Sequence, residues 1–284
     1  MKLQGHEKFS IREGWLNKGM IILADPEKNR IFQDAEASIE FGIGTNMVKS
    51  LRYWMKAMGL MDEKAGDGAF LTDTGNLIMK NDIYLEDTFS LWVMHSSIAR
   101  NIDYATTWYM YFNRCDAATL NKEELEKILI REVTKYADGK KFSDKSVGSD
   151  LDVLLNMYSK EKRREDPEDK NNSPFSVLGL VKKIDGKYEK AHPDRRIISE
   201  WNVLYELANL MKYESSISIE KAISGEMGLE KIYHMSSVLA NELLDVLDTM
   251  GYIRVDRTAG LDMIYKLKEF DDIEVIREYY AKKK

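Results

Sequence analysis

A histidine, two glutamates and an arginine fall close together near the amino terminus, in the run Gly5-His6-Glu7-Lys8-Phe9-Ser10-Ile11-Arg12-Glu13. Hydrolysis of a phosphodiester by water uses these residue types. A histidine or carboxylate takes the proton from water, carboxylates hold Mg²⁺, and a cation offsets charge on the phosphate. His6, Glu7, Arg12 and Glu13 are therefore the candidate catalytic residues, with Mg²⁺ as the cofactor a nuclease would require. An extended backbone from His6 to Phe9 would send His6 and Glu7 to opposite faces, which works against one centre built from both. The alternative is structural, with Glu7 and Arg12 as a buried ion pair bracing the amino terminus against the first helical unit. No established nuclease spacing chooses between the two.

Other chemistry is sparsely represented. No glycine-rich loop of the P-loop type occurs, and Gly42-Ile43-Gly44 lacks the rest of a dinucleotide fingerprint and reads as a turn. His192 and His234 have no companion ligands nearby in sequence, so the metal ligands stay unassigned. Cys115 is the single cysteine, which excludes an internal disulfide and a multi-cysteine zinc site and suits a small buried apolar residue. His95 and Arg100 lie within the apolar stretch from Tyr84 to Asn113 and suit a hydrogen-bonded pair in the core.

The elements that must position these groups begin with a helix-turn-helix outline between Asp34 and Gly59. From Thr45 to Met58, Met47, Leu51, Trp54, Met55 and Met58 recur at spacings of three and four, the period of a helix packed on a core. The opposite side carries Asn46, Lys49, Ser50, Arg52, Tyr53 and Lys56, and Thr45 is placed to cap the helix. A basic ridge of Lys49, Arg52 and Lys56 above first-turn amides suits phosphate, so double-stranded DNA is the partner this helix points to. Leu60 to Leu71 reads as a hairpin around a polar turn, and Asp62, Glu63 and Asp67 outnumber Lys64 there, which predicts weak contact with DNA at most.

The same order recurs twice. Lys122 to Lys135 and Asp144 to Tyr158 have helical periodicity, and Asp185-Gly186 between apolar runs signals a hairpin. The second helix of this pair is expected to expose Lys145, Ser146, Ser149, Asp150 and Asp152, a nearly balanced face. Farther on, a short helix at 217–223, an acidic amphipathic helix from Ser237 to Met250 and a hairpin around Asp256 to Gly260 complete a third set. The predicted fold is mainly α, with tandem winged-helix-like units and added core helices. Its segments are 1–82, 83–198 with a charged loop at 159–172, and 199–284.

Composition narrows the partners. The 284 residues carry a net charge of −6, so any contact with nucleic acid must be local rather than spread over the surface. No apolar run approaches a membrane span and no charged-apolar-small signal opens the chain, so a cytoplasmic protein with no membrane contact is expected.

The amino-terminal run, Phe41 to Trp54, Thr106-Thr-Trp-Tyr-Met-Tyr-Phe-Asn113, Ser146 to Leu155 and Thr258-Ala-Gly-Leu261 together resemble a bacterial family known as domain of unknown function 4007. The resemblance implies a place beside DNA phosphorothioation genes, with a sulfurtransferase, a cysteine desulfurase or an ATPase as partners. One branch, the SspB-like proteins, is associated with DNA nicking. The resemblance supplies no set of catalytic residues. Three readings follow: a DNA-binding subunit that nicks or only binds, an adaptor holding the modification machinery, and a winged-helix transcription regulator, which would need an operator and a symmetric dimer.

Overall fold

The computed structural model describes residues 1–159, 172–260 and 262–283, which divide into two compact units, Met1–Lys190 and Ala191–Lys284. Apart from its two ends the expected charged loop, with Lys160, Lys162, Arg163 and Arg164, lies outside the described residues, as does Leu261. The described chain is mostly helical with small antiparallel sheets. None of its helices is long and apolar enough to cross a membrane.

The first unit opens with α1 (Trp15–Leu23), α2 (Ala37–Phe41) and α3 (Thr45–Ala57). Strands β1 (Met61–Lys64) and β2 (Gly68–Leu71) then pair with Met61 opposite Leu71, and α4 (Asp73–Asn81) follows. Leu51, Trp54, Met55 and Met58 are buried as the helical period predicts. Helices α1 and α3 approach closely at Gly19, where an added Cβ would stand 2.3 Å from Met55 Sδ. The α2–α3 turn works through Gly42, whose φ of 64° ends α2 in a left-handed cap. Gly44 occupies the cap position before α3 and Thr45 is its first helical residue, so Thr45 is not the cap that its side chain promised.

Helices α5 (Thr88–Arg100) and α6 (Thr106–Arg114) bring Trp92, Trp108 and Phe112 into the core, with the expected break between them. His95 is buried there, 2.7 Å from the Tyr158 hydroxyl, and Cys115 is buried with its thiol pKa raised by desolvation. Next come β3 (Thr119–Leu120), α7 (Lys122–Ala137), α8 (Asp144–Ser159), β4 (Val181–Ile184) and β5 (Lys187–Lys190). The sheet order is β3-β5-β4, and the β4–β5 turn puts Asp185 and Gly186 at φ 49° and 79°. Positive φ at both central residues is what a two-residue hairpin asks of Asp-Gly.

The second unit has a similar order with one more helix before its hairpin. It runs α9 (Glu200–Leu210), β6 (Ser216–Ser218), α10 (Ile219–Ile223), α11 (Leu229–Tyr233), α12 (Ser237–Thr249), β7 (Ile253–Asp256), β8 (Met263–Lys266) and α13 (Asp272–Lys283), with sheet order β6-β8-β7. His192 meets the carbonyl of His234 through Nδ1 at 2.5 Å. Ordinary loop chemistry accounts for the contact.

The β1–β2 hairpin is fixed to α4 around Thr72. Thr72 Oγ1 donates to the Gly59 carbonyl and accepts from the Gly75 amide, and Gly75 lies so close to Leu60 that a Cβ would stand 2.0 Å from its carbonyl oxygen. Replacing Gly75 with Ala should force the two segments apart and cost about 1–3 kcal/mol, read as a lower urea midpoint. No change would show that α4 moves freely against the hairpin.

Candidate nucleic-acid interface

Residues 1–14 form a strap laid across α3, α6 and α8. Its contacts are specific. Lys2 N donates to Thr106 Oγ1 at 3.1 Å, Gln4 N to Asp150 Oδ1 at 2.8 Å, and Glu13 N to the Asn172 carbonyl at 3.1 Å. The Phe9 carbonyl accepts from Trp54 Nε1 at 3.0 Å and from Ser50 Oγ at 3.3 Å. The strap is a chain of turns rather than an extended strand, with positive φ at Gln4, Glu7 and Lys8.

His6 is its anchor. The ring is fully buried, stacked on Trp54 at 5.8 Å between centroids and edge-on to Trp108 at 5.6 Å. Nδ1 accepts from the Lys8 amide at 3.1 Å, which leaves the proton on Nε2 to donate to Asp150 Oδ1 at 2.8 Å. Asp150 Oδ2 accepts in turn from Thr107 Oγ1 at 2.7 Å. Three donors, from strap and α6, thus converge on one buried carboxylate of α8, which supplies the compensation a buried charge demands.

The four candidate catalytic residues do not converge. His6 is sealed inside, Glu7 is exposed on a left-handed turn, and Glu13 is exposed. Arg12 lies over the rings of Phe9 and Trp15, at 5.8 and 5.5 Å, and no ion pair joins it to Glu7. The expected buried Glu7–Arg12 pair is therefore replaced by the His6–Asp150 contact. Asp150, assigned to an exposed face of α8, is 2% exposed because that face carries the strap.

The outward face of α3 is also narrower than its period implied. Ser50 and Tyr53 are buried, because strap residues separated from them by some forty positions cover that side of the helix: Ser50 bonds Phe9, and Tyr53 packs edge-on to His6 at 5.8 Å. Arg52 and Lys56 are half-buried and already engaged. Arg52 makes a two-pronged contact with Glu63 of β1, Nε to Oε1 at 2.5 Å and Nη2 to Oε2 at 2.8 Å, and Lys56 Nζ reaches Glu63 at 3.3 Å and Asp62 at 3.4 Å. Thr45, Asn46 and Lys49 remain exposed. Lys49 Nζ lies 3.3 Å from Asn46 Oδ1 and has no carboxylate partner among the described residues.

Electrostatics around the pair follow from its geometry. The hydrogen bonds from Arg52 hold the Glu63 carboxyl below its ordinary range against the opposing effect of burial. Nearby, Lys2 lies over the Tyr104 ring at 4.0 Å, its pKa lowered by burial and then by Lys56 and Arg52. Burial, and secondarily Glu63, pushes the Tyr104 hydroxyl up to about 12. An open cleft of about 460 Å³ lies beside the pair, lined by Arg30, Arg52, Glu63 and Lys64. Asp150, Thr107 and Glu63 carry no mark in the sequence as site residues: nothing local identifies a helical Asp as a partner of a histidine 144 positions away. The Glu63 contact, only 11 positions from Arg52, follows once β1 is known to return beside α3.

Comparisons with known proteins fit this architecture. The family described as "Protein of unknown function (DUF4007)" matches residues 3–280. No curated protein matches the chain. A crystal structure of magnesium ion-bound SspB superposes with a TM-score of 0.85 at 22% identity, covering 99% of this chain and 88% of that one. A second SspB crystal structure gives 0.85 at 20% identity, over 99% and 87%. The likeness at these identities is one of fold.

Two outcomes test the contacts described. Asp150→Ala leaves three donors, two of them buried, without their acceptor and should cost about 3–5 kcal/mol, seen in urea unfolding. A cost under about 1 kcal/mol would remove it as the strap's anchor. Glu63→Gln should cost about 0.5–1 kcal/mol at neutral pH, a small figure because Arg52 is wetted and screened. Since Glu63 has a lowered pKa when folded, that contribution is present above its ordinary value of 4.5 and is lost as pH falls through the folded value. The stability gap between wild type and Glu63→Gln should therefore close in acid. A gap that persists there would contradict the pairing.

Proposed function

The chain belongs to the DUF4007 family, and on that premise we propose that it is a DNA-binding subunit of a bacterial phosphorothioation-linked DNA modification and defence system. The observation that carries the DNA reading is the start of α3, where Thr45, Asn46 and Lys49 are exposed and no carboxylate among the described residues holds Lys49. Amides at a helix start have no intrahelical acceptor and favour an anion, while Asn and Lys are suited to an adenine edge and a phosphate. In this reading α2, α3 and the β1–β2 hairpin act as a winged helix. The order of helices and strands from α6 to β5, and again from α9 to β8, supports two further units of that kind. The functional division is then 1–82, 83–198 and 199–284.

Nicking, the finer implication of the SspB-like resemblance, receives no residues here. His6 is enclosed by aromatic rings and bound to Asp150, and Glu7, Arg12 and Glu13 do not gather around it. Among the described residues no group of three or more His, Cys, Asp or Glu side chains is placed to hold a metal ion. The four candidate residues do not come together as a Mg²⁺ site, and no step is derived through that ion; one similar SspB structure is magnesium-bound.

A second reading, the adaptor, is favoured by α12. Its exposed side presents Val238, Glu242, Asp245 and Val246, with no lysine or arginine in the helix. Arg257 pairs with Asp245, which leaves Glu242 and the two valines as the open part of a face that suits a protein partner better than phosphate, and a sulfurtransferase, a cysteine desulfurase or an ATPase is proposed for it. The two readings are compatible, one for each unit.

Titration of a labelled duplex over a range of salt concentrations tests the α3 assignment in two directions. Lys49→Ala should weaken binding and reduce the slope of log K against log salt by about 0.9. Glu63→Gln frees Arg52, while Lys56 keeps Asp62, and should tighten binding and steepen the slope. An unchanged slope in the first variant together with weaker binding in the second would take α3 out of the interface.

A further inference from the structure

The β4–β5 hairpin differs in charge from its counterpart in the same unit. Residues 181–190 hold four lysines against two carboxylates, whereas 61–71 hold one lysine against three carboxylates. Lys190 is withdrawn from the surface, its Nζ donating to the carbonyls of Tyr111 at 2.8 Å and Cys115 at 2.6 Å. That contact fastens the base of the hairpin to the end of α6, and Val181, opposite Lys190 in register, is buried. The outer half carries the other three lysines.

Lys182, Lys183 and Lys187 are exposed, and none has a carboxylate partner among the described residues. Glu189 is paired in register with Lys182, yet no ion pair forms between them. Lys183 instead lies over the Tyr188 ring at 5.4 Å. Ile184, half exposed beside the turn, pairs across the strands with Lys187 and shares its face. In a chain of net charge −6 these cations are held apart from the acidic groups that elsewhere neutralise Arg52, Lys56 and Arg257.

We infer that the tip of the β4–β5 hairpin is a second contact surface for duplex DNA, with Lys182, Lys183 and Lys187 on the phosphates and Ile184 against the sugar edge. The inference rests on the DNA reading above and extends it to a surface that α3 does not include. Phosphate is favoured over an acidic protein because Lys182 and Lys187 share the face of Ile184 and Lys183 adds a third solvated cation from the other face, an excess over Asp185 and Glu189 that gives the local charge a polyanion needs. They do not give the aromatic, lysine-poor centre of a protein interface. The hairpin is rigid enough to keep this arrangement, since β5 is paired on both sides, to β4 and to β3.

The test uses the full chain and a short fluorescent duplex, comparing wild type with Lys182→Gln/Lys183→Gln/Lys187→Gln and with Lys49→Ala. Exposed lysines carry little of the fold, and an unchanged urea midpoint establishes that the triple variant is folded. It should lower the salt slope by about 2–3, roughly 0.9 for each phosphate no longer neutralised, and weaken binding at least tenfold at low salt. Ile184→Ser, which keeps every charge, should weaken binding without changing the slope. If wild type binds the duplex and the triple variant keeps its slope, the hairpin assignment falls and the DNA reading stands. If wild type does not bind duplex at all, both fall. Binding of poly-glutamate that competes on equal terms with duplex would also overturn the assignment, in favour of an acidic protein partner.

Discussion

The contact between His6 and Asp150 is the constraint from which the first unit takes its form. A carboxylate buried on α8 must be compensated, and the compensation comes from three donors that only a particular path of the amino terminus delivers. Because Gln4 and His6 have to reach Asp150, the strap must cross α3, and the crossing puts the Phe9 carbonyl over Trp54 and Ser50. The rings of Trp54, Tyr53 and Trp108 close around the imidazole. One buried polar contact thus decides which side of α3 is interior and how much of it is left for a ligand.

What is left has been sorted by charge. Toward the end of α3, Glu63 occupies the guanidinium of Arg52 in the two-pronged geometry a phosphate would use, and shares Lys56. The β1–β2 hairpin is in this sense an internal competitor for the cations of the helix before it. At the start of α3 there is no such competitor, and the β4–β5 hairpin has its outer lysines free of carboxylates among the described residues as well. An overall acidic protein can bind a polyanion only where cations outnumber the acids beside them: Lys49 has no carboxylate against it among the described residues, and on the hairpin three exposed lysines outnumber Asp185 and Glu189.

Much of the fold was legible in the sequence, because its elements follow local rules. The 3.6-residue period marks α3 and α12, the Asp185-Gly186 pair marks the β4–β5 turn, and the break around Asn101 to Thr106 separates α5 from α6. The site was less so. A helical wheel finds one buried stripe, and α3 has a second, covered by residues some forty positions earlier, so its period alone puts Ser50 and Tyr53 on the wrong side. His6 stands out as a chemical residue for the same reason that it is structural: it is a polar ring whose partner lies on a distant helix. Charge counts along α3 could not reveal that Arg52 and Lys56 are satisfied by β1, since that depends on how the hairpin folds back.

The central claim is that the first unit meets DNA at two places while the acidic α12 of the second does not. Amide hydrogen exchange of the full chain, with and without saturating duplex, addresses it most directly, because the first-turn amides of α3 have no intrahelical acceptor and exchange readily when free. The account predicts slower exchange on binding at Thr45, Asn46 and Met47 and along 182–187, with none at Ser237–Thr249. Slowing confined to Ser237–Thr249, or absent from both sites of the first unit while the duplex is bound, would contradict it.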